Sequence, residues 1–285
     1  MQVTTTIAET RGVLDAARRD GKSVGLFPTM GYLHDGHASL MRQARAECDV
    51  VVVSIFVNPL QFAPGEDLAT YPRDLAADSA LAESIGIDVV FAPSVEEMYP
   101  VAAVTSVSLA DLAGSMEGAS RPTHFAGVAT VVAKLFNIAG PCRAYFSEKD
   151  FQQLTIVQRM ALDLSFPVEV VACPFVREPD GLALSSRNVY LTPAERAAAP
   201  VLHRALQAGA AAIRAGERDP ATVADLVAAI ITAEPCAELD YVEVVDAATL
   251  VRPDVLAGET RLLTAARFGR PRLLDNLGVL VPEQG

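Results

Sequence analysis

The segment Pro28-Thr29-Met30-Gly31-Tyr32-Leu33-His34-Asp35-Gly36-His37 sets two histidines three residues apart between glycines. Imidazole N–H groups donate to phosphate oxygens and stabilise the charge that develops as pyrophosphate leaves. Apolar spacing from Ala38 onward predicts a helix that begins here. Its N-terminus would offer free N–H groups and a positive dipole to an anion. A plain structural turn is the competing reading. A zinc site would need a third ligand, from His124 or His203.

Three further groups carry related chemistry. In Asn58-Pro59-Leu60-Gln61-Phe62, Gln61 both donates and accepts, which suits a polyhydroxy acid, while Asn58 before Pro59 is also simple turn chemistry. Next come Tyr71-Pro72-Arg73-Asp74 and Asp78, where Asp74 reads as a helix cap and Asp78 as solvent-facing or metal-contacting. In Ser147-Glu148-Lys149-Asp150, followed by Gln152-Gln153, Lys149 is a mobile point charge for a triphosphate, and Asp150 caps a helix or orients it. In Gly181 to Asn188, Ser185, Ser186 and Arg187 form either a phosphate clamp or a polar linker.

These groups need elements to position them. Ser23–Thr29 reads as a strand, Ala38–Cys48 as a helix, and the β-branched run Val50–Val57 as a strand buried on both faces. Asp74–Ile85 follows as a helix stopped by Gly86, then strands at Asp88–Ala92 and Val104–Leu109. Helix Gly127–Ala139, strand Arg143–Phe146, helix Phe151–Leu162 and strand Val168–Val171 complete an alternation that predicts a layered α/β sheet. Beyond Ser185 the character changes. Thr192-Pro193-Ala194-Glu195 is a capping box that opens an Ala-rich helix reaching about Gly216, and Pro220 opens another over Ala221–Ala233. Strands are expected at Leu239–Val245, Arg261–Ala266 and Arg272–Asn276. The expected domains are therefore 1–175 and a smaller α+β domain, 176–285.

Composition narrows the function classes. The chain has 285 residues, and 35 acidic against 23 basic side chains leave a net charge of −12. An acidic surface repels phosphate backbones and anionic lipid, so neither nucleic acid nor a membrane is the expected partner. The longest uncharged run, Val50–Gly65, is interrupted by Pro59 and Pro64 and falls short of the roughly 20 apolar residues of a membrane span. The N-terminal MQVTTTIAETRG has no signal-peptide pattern. Cys48, Cys142, Cys173 and Cys236 are scattered, with no CxxC, and read as buried reduced thiols of a cytoplasmic protein.

The ordered set of motifs resembles the pantothenate synthetase (pantoate–β-alanine ligase) family. PTMGYLHDGH is similar to that family's version of the HIGH signature of nucleotidyltransferases. FVNPLQF, YPR, RPTHFAGVATVVAKLFN, the EKD–QQL stretch and REPDGLALSSRNVYL follow in the family's order, from about Gly25 to Asn276. The resemblance implies a Rossmann-like parallel-sheet domain with a smaller C-terminal lid, a homodimer, and ATP with Mg²⁺. The implied reaction joins pantoate, a coenzyme A precursor, to β-alanine through a pantoyl adenylate, releasing pyrophosphate and AMP. It implies that Met30, Gly31, Tyr32, Leu33, His34, Asp35, Gly36 and His37 line ATP, with His37 a proton donor. Ser147, Glu148, Lys149, Asp150, Val176, Leu184, Ser185, Ser186 and Arg187 would also contact ATP. Gln61 would touch pantoate and β-alanine, and Gln153 pantoate. His34, His37, Lys149 and Arg187 form the expected catalytic set, Asn58 is grouped with the pantoate side, and no metal ligand is assigned. The family usually has Gly where this chain has Ser147, a difference that adds strain if φ is positive there and otherwise only narrows the nucleotide pocket. Two rivals are a nucleotidyltransferase without the amide-forming step and a non-catalytic nucleotide-binding homologue.

Overall fold

The computed structural model describes residues 1–66, 68–109 and 111–282. In chain order the regular elements are β1 (Gln2–Thr4), α1 (Ile7–Arg19), β2 (Val24–Thr29), α2 (Asp35–Glu47), β3 (Val50–Ile55), α3 (Leu75–Ile85) and β4 (Val89–Phe91). Then follow α4 (Val95–Met98), α5 (Glu117–Ser120), α6 (His124–Ala139), β5 (Cys142–Ser147), α7 (Phe151–Asp163) and β6 (Val168–Cys173). The last third holds α8 (Pro193–Ala198), α9 (Val201–Arg214), α10 (Pro220–Thr232), β7 (Glu238–Asp246), β8 (Glu259–Arg267) and β9 (Arg272–Leu280). Short 3-10 turns occupy Pro59–Gln61, Glu148–Asp150 and Ser186–Tyr190.

Two compact units result. The first comprises Met1–Glu148 and Gln152–Pro174; the second comprises Lys149–Phe151 and Phe175–Gly285. In the first, β1 to β6 form one parallel sheet in the order β1-β4-β3-β2-β5-β6. The apolar run of β3 is buried at every position from Val50 to Ser54, as a strand covered on both faces requires. From β2 the chain winds outward through β3 and β4, then returns to lay β5 and β6 on the other side. The neighbours β2 and β5 therefore mark the point where strand order reverses. Ligands of open α/β sheets collect there, outside the carboxyl ends of the strands.

The second unit packs α9 and α10 over the antiparallel sheet β7-β8-β9, with Leu202, Leu206, Val223, Val227, Leu262 and Phe268 in its core. The Thr192–Glu195 capping box forms as its residues dictate, the Thr192 hydroxyl accepting from the Glu195 amide and the Glu195 carboxylate from that of Thr192.

Several expectations need correction. Val104–Leu109 is not a strand: 102–109 has no regular structure and Val104 is 99% exposed. The strand that pairs with the outer side of β4 is instead β1, from the chain's start. The Ala-rich helix is broken, because Pro200 has no N–H to donate to the preceding turn, and α9 starts anew at Val201. Helix α1 answers to no expectation above, although Thr6 and Glu9 build a full capping box at its start. All four cysteines are free, but only Cys48 and Cys173 are buried; Cys142 is half-buried and Cys236 exposed. Among the described residues no helix is long and apolar enough to cross a membrane.

Candidate active site

The turn between β2 and α2 is built around backbone that few residues adopt. Gly31 has φ +86° and Tyr32 φ +54°. A methyl group at Gly31 would come within 2.8 Å of an Asp78 carboxylate oxygen and 3.0 Å of Ile55, so this position excludes a side chain on two grounds. Asp78, on α3, is only 3% exposed. Its two carboxylate oxygens accept from the amides of Tyr32 (2.9 Å) and Leu33 (2.7 Å). Such charge-assisted bonds are worth about 1.5–3 kcal/mol each. The solvent-facing reading of Asp78 is corrected: the side chain is buried and both oxygens accept amides of the turn.

Helix α2 starts on histidine. His34 is its N-cap, with Nδ1 accepting from the Gly36 amide at 3.1 Å. The His34 amide in turn donates to Nδ1 of His37 at 3.2 Å. The pair forms a capping box in which imidazoles replace the usual hydroxyl and carboxylate. The ring centroids lie 4.0 Å apart. Because each Nδ1 accepts a backbone N–H, each neutral ring carries its proton on Nε2. The cap thus fixes both the tautomer and the orientation of two Nε2–H donors at a helix N-terminus. Both stand at the carboxyl end of β2.

The amide turn after β3 is held from several directions. The Asn58 amide donates to the side-chain oxygen of Gln61 (3.2 Å) and to the carbonyl of Gly127 (3.1 Å), and Tyr99 donates its hydroxyl proton to Asn58 at 2.8 Å. Burial pushes the Tyr99 phenol up to about 12, so it stays a donor at neutral pH. The Gln61 amide donates to the Met30 sulfur at 3.0 Å, which joins this turn to the histidine segment. The main-chain carbonyl of Gln61 accepts from Arg121 (3.2 Å) and from Nδ1 of His124 (3.0 Å). Burial, with the Arg121 guanidinium beside it, holds the His124 imidazole below its ordinary range, consistent with a neutral ring donating from Nδ1. Arg121 is itself gripped by Glu66 through two bonds of 2.7 and 2.6 Å. That hydrogen bonding keeps the Glu66 carboxyl below the usual carboxylate range. Gly127 completes the support, since a methyl there would overlap the Leu60 carbonyl and approach the Gln61 nitrogen to 2.6 Å.

Arg121, His124 and Gly127 thus fall three residues apart, and each touches the Pro59–Gln61 turn. The sequence suggests no such role for them, His124 entering only as a third zinc ligand; Arg121 precedes α6, while His124 and Gly127 lie three apart in its first turns.

The remaining groups take these places. Ser147 ends β5, in register with Cys173, and is not among the residues of positive φ, which removes the strain alternative for this position. Glu148 follows it at the carboxyl end of the strand beside β2. Gln153 is half-buried on α7, whereas Gln152 is buried and ties down the preceding loop through the carbonyls of Leu112 and Ser115, both at 2.9 Å.

In the second unit, Lys149 pairs with Asp150 at 3.1 Å. The segment from Val176 to Leu184 doubles back on itself, with the Leu184 amide donating to Val176 at 3.1 Å. Ser185 caps the turn that carries Ser186 and Arg187, accepting from the Arg187 amide at 3.3 Å. Among the described residues no three His, Cys, Asp or Glu side chains gather as a metal site.

Comparison with known proteins is consistent throughout. The profile of the Pantoate-beta-alanine ligase family matches residues 2–278. The chain is 57% identical to a pantothenate synthetase of Heliobacterium modesticaldum over 263 residues, spanning 92% of this chain and 94% of that protein. It is 54% identical to one from Moorella thermoacetica over 277 residues, spanning 97% and 98%. The crystal structure of a pantothenate synthetase from Thermus thermophilus matches with TM-score 0.93 at 50% identity, over 98% of this chain and all (100%) of that one. A pantoate-beta-alanine ligase from Francisella tularensis, complexed with beta-gamma ATP and beta-alanine, matches with TM-score 0.79 at 33% identity over 97% of each chain.

Removing the Asp78 carboxylate should loosen the turn before any other part of the site. In Asp78→Ala, amide hydrogen exchange at Tyr32 and Leu33 is expected to accelerate by about tenfold or more, the cost of one lost charged hydrogen bond. Exchange at the wild-type rate would mean that the turn holds itself.

Proposed function

The chain belongs to the pantoate–β-alanine ligase family and is an ATP-dependent enzyme of that activity; from this premise we propose how its own residues divide the chemistry. A pantoate carboxylate oxygen attacks the α-phosphorus of ATP. The new O–P bond replaces the bond to pyrophosphate, giving pantoyl adenylate. The β-alanine amine then attacks the acyl carbon, a C–N bond replaces the C–O bond to AMP, and pantothenate is released. No enzyme nucleophile is needed.

The observation that carries this reading is the imidazole capping box at the carboxyl end of β2. Two Nε2–H donors, fixed in tautomer before substrate arrives, suit negative charge growing on the departing pyrophosphate. His37 acts there as a hydrogen-bond donor through Nε2, its Nδ1 being engaged with the His34 amide. The backbone from Met30 to His37 lines the nucleotide, and Ser147, Glu148, Lys149, Asp150, Val176 and Leu184 to Arg187 supply further ATP contacts. Lys149 and Arg187 are its cationic groups. Residues 1–175 form the nucleotide- and pantoate-binding domain and 176–285 the smaller lid.

Gln61, Asn58 and Gln153 make up the pantoate and β-alanine side. The guanidinium bonded to Gln61, that of Arg121, is already engaged by Glu66. Pantoate therefore meets neutral amides, and its carboxylate keeps the nucleophilicity that an arginine partner would reduce. Mg²⁺ is the expected counter-ion of the triphosphate. The ion would arrive on ATP, held mainly by phosphate oxygens and water. We take the enzyme to be a cytoplasmic homodimer, as in the family it resembles.

Exchange of labelled pyrophosphate into ATP should require pantoate, and AMP release should require β-alanine. Exchange without any amide product would identify a nucleotidyltransferase instead, and absence of both would identify a non-catalytic homologue. His37→Ala should lower single-turnover adenylation by about 10²–10³, the loss of one preorganised donor; a near-normal rate removes His37 from the mechanism. Ser147→Gly should lower the KM for ATP with kcat unchanged, and an unaltered KM would show that the hydroxymethyl group does not narrow the nucleotide pocket.

A further inference from the structure

Three of the most buried polar side chains in the second unit belong to two adjacent strands and lie far from the histidine motif in sequence. Arg261 on β8 is 5% exposed, and Asp275 and Asn276 on β9 are 4% and 2% exposed. Burying such groups is costly unless each is partnered, and here the partners are specific. The Asn276 amide nitrogen donates to the main-chain carbonyl of Lys149 at 2.7 Å, and its oxygen accepts from Nε of Arg261 at 2.7 Å. The Arg261 guanidinium lies 3.9 Å from the ring centre of Phe151, two residues beyond Lys149. Gly278 leaves it room, since a methyl there would approach an Arg261 nitrogen to 2.9 Å. The Lys149–Phe151 segment is thus gripped at its first carbonyl and at its last side chain.

Asp275 does the corresponding work for the other cationic segment. It binds Arg177 through two bonds of 2.7 Å, and the same oxygen that takes one of them accepts the Asn276 amide at 2.7 Å. Arg177 passes the restraint on, donating to the carbonyl of Gly181 at 2.9 Å, within the fold-back that ends at Leu184.

We infer that the Asp275-Asn276 pair is a positioning device for the adenylation step: Asn276 sets the backbone from which Lys149 reaches the triphosphate, and Asp275, through Arg177, sets the strap that carries Arg187. Neither residue touches substrate. The inference rests on the assignment of Lys149 and Arg187 to ATP made above. Asn276 is the sharper half because one amide serves two partners: its oxygen satisfies Arg261, while only its nitrogen reaches Lys149. Asn276→Asp keeps the acceptor for Arg261 and sets an oxygen against the Lys149 carbonyl.

The test compares Asn276→Asp, Lys149→Ala and the double variant in two single-turnover assays, adenylation from ATP and pantoate, and amide formation from preformed pantoyl adenylate with β-alanine. Asn276→Asp should slow adenylation by about 10–10²-fold, the effect of a small misplacement of a reacting group, and leave amide formation within about twofold. The double variant should be no slower than Lys149→Ala alone. A merely structural role would lower both half-reactions together, and independent action would multiply the two losses; either result overturns the inference. Normal adenylation by Asn276→Asp beside an impaired Lys149→Ala does the same. Normal adenylation by Lys149→Ala would instead overturn the assignment of Lys149 beneath it. Should Asn276→Asp not fold, Asn276→Ser provides the same comparison, since its shorter hydroxyl can answer Arg261 without spanning to Lys149.

Discussion

The buried carboxylate of Asp78 is the interaction on which the site depends. A strand that must deliver its end to a helix start within a few residues needs a sharp turn, and here the turn uses left-handed backbone at Gly31 and again at Tyr32. Left-handed backbone costs an L-residue such as Tyr32 roughly 1–2 kcal/mol. The two amides that this turn directs inward would be unsatisfied without an acceptor. Asp78 supplies both oxygens, and the room it needs is the space that a side chain on Gly31 would fill. Only with the turn so fixed can His34 fall at the N-cap of α2 and His37 one turn later.

The same economy shapes the histidines. A helix N-terminus has orphan amides that need acceptors, and most chains use Ser, Thr, Asp or Asn for them. Here imidazole Nδ1 atoms take that duty. The capping requirement and the proposed need for directed donors are met by the same rings, one nitrogen facing the helix and the other assigned to phosphate in the proposed reaction. Changing either ring therefore disturbs the helix start along with the chemistry, so rates measured on such variants combine both losses.

The sequence shows the alternation of strands and helices because buried parallel strands and amphipathic helices carry strong local patterns. It misleads at Val104–Leu109, where the apolar spacing is strand-like but the segment joins no sheet and Val104 is exposed, a fact of tertiary topology. Helix α1 was legible in principle from Thr6 and Glu9. The HxGH segment, Lys149 and the Ser185–Arg187 run stand out because their residue types are chemically unusual at element starts. Asp78, Asn276 and Gly127 do not, since an acidic, an amide or a glycine residue gains its meaning only from a backbone group distant in sequence. Position 147 shows the reverse limit, for the replacement of Gly by Ser could be seen but its backbone angle could not.

The three-residue spacing of Arg121, His124 and Gly127 has a consequence for the acid site proposed around Gln61. Gln61 is not an independent peg: its main-chain carbonyl hangs from two of those residues, and its backbone rests against the third. A wider or narrower acid pocket cannot be reached by exchanging Gln61 alone, because any shift of its backbone must be matched at the start of α6. The pocket and the helix are inherited together. Variation in acid preference should accordingly come in correlated sets of substitutions, with single-residue intermediates that lose the original substrate before they gain another.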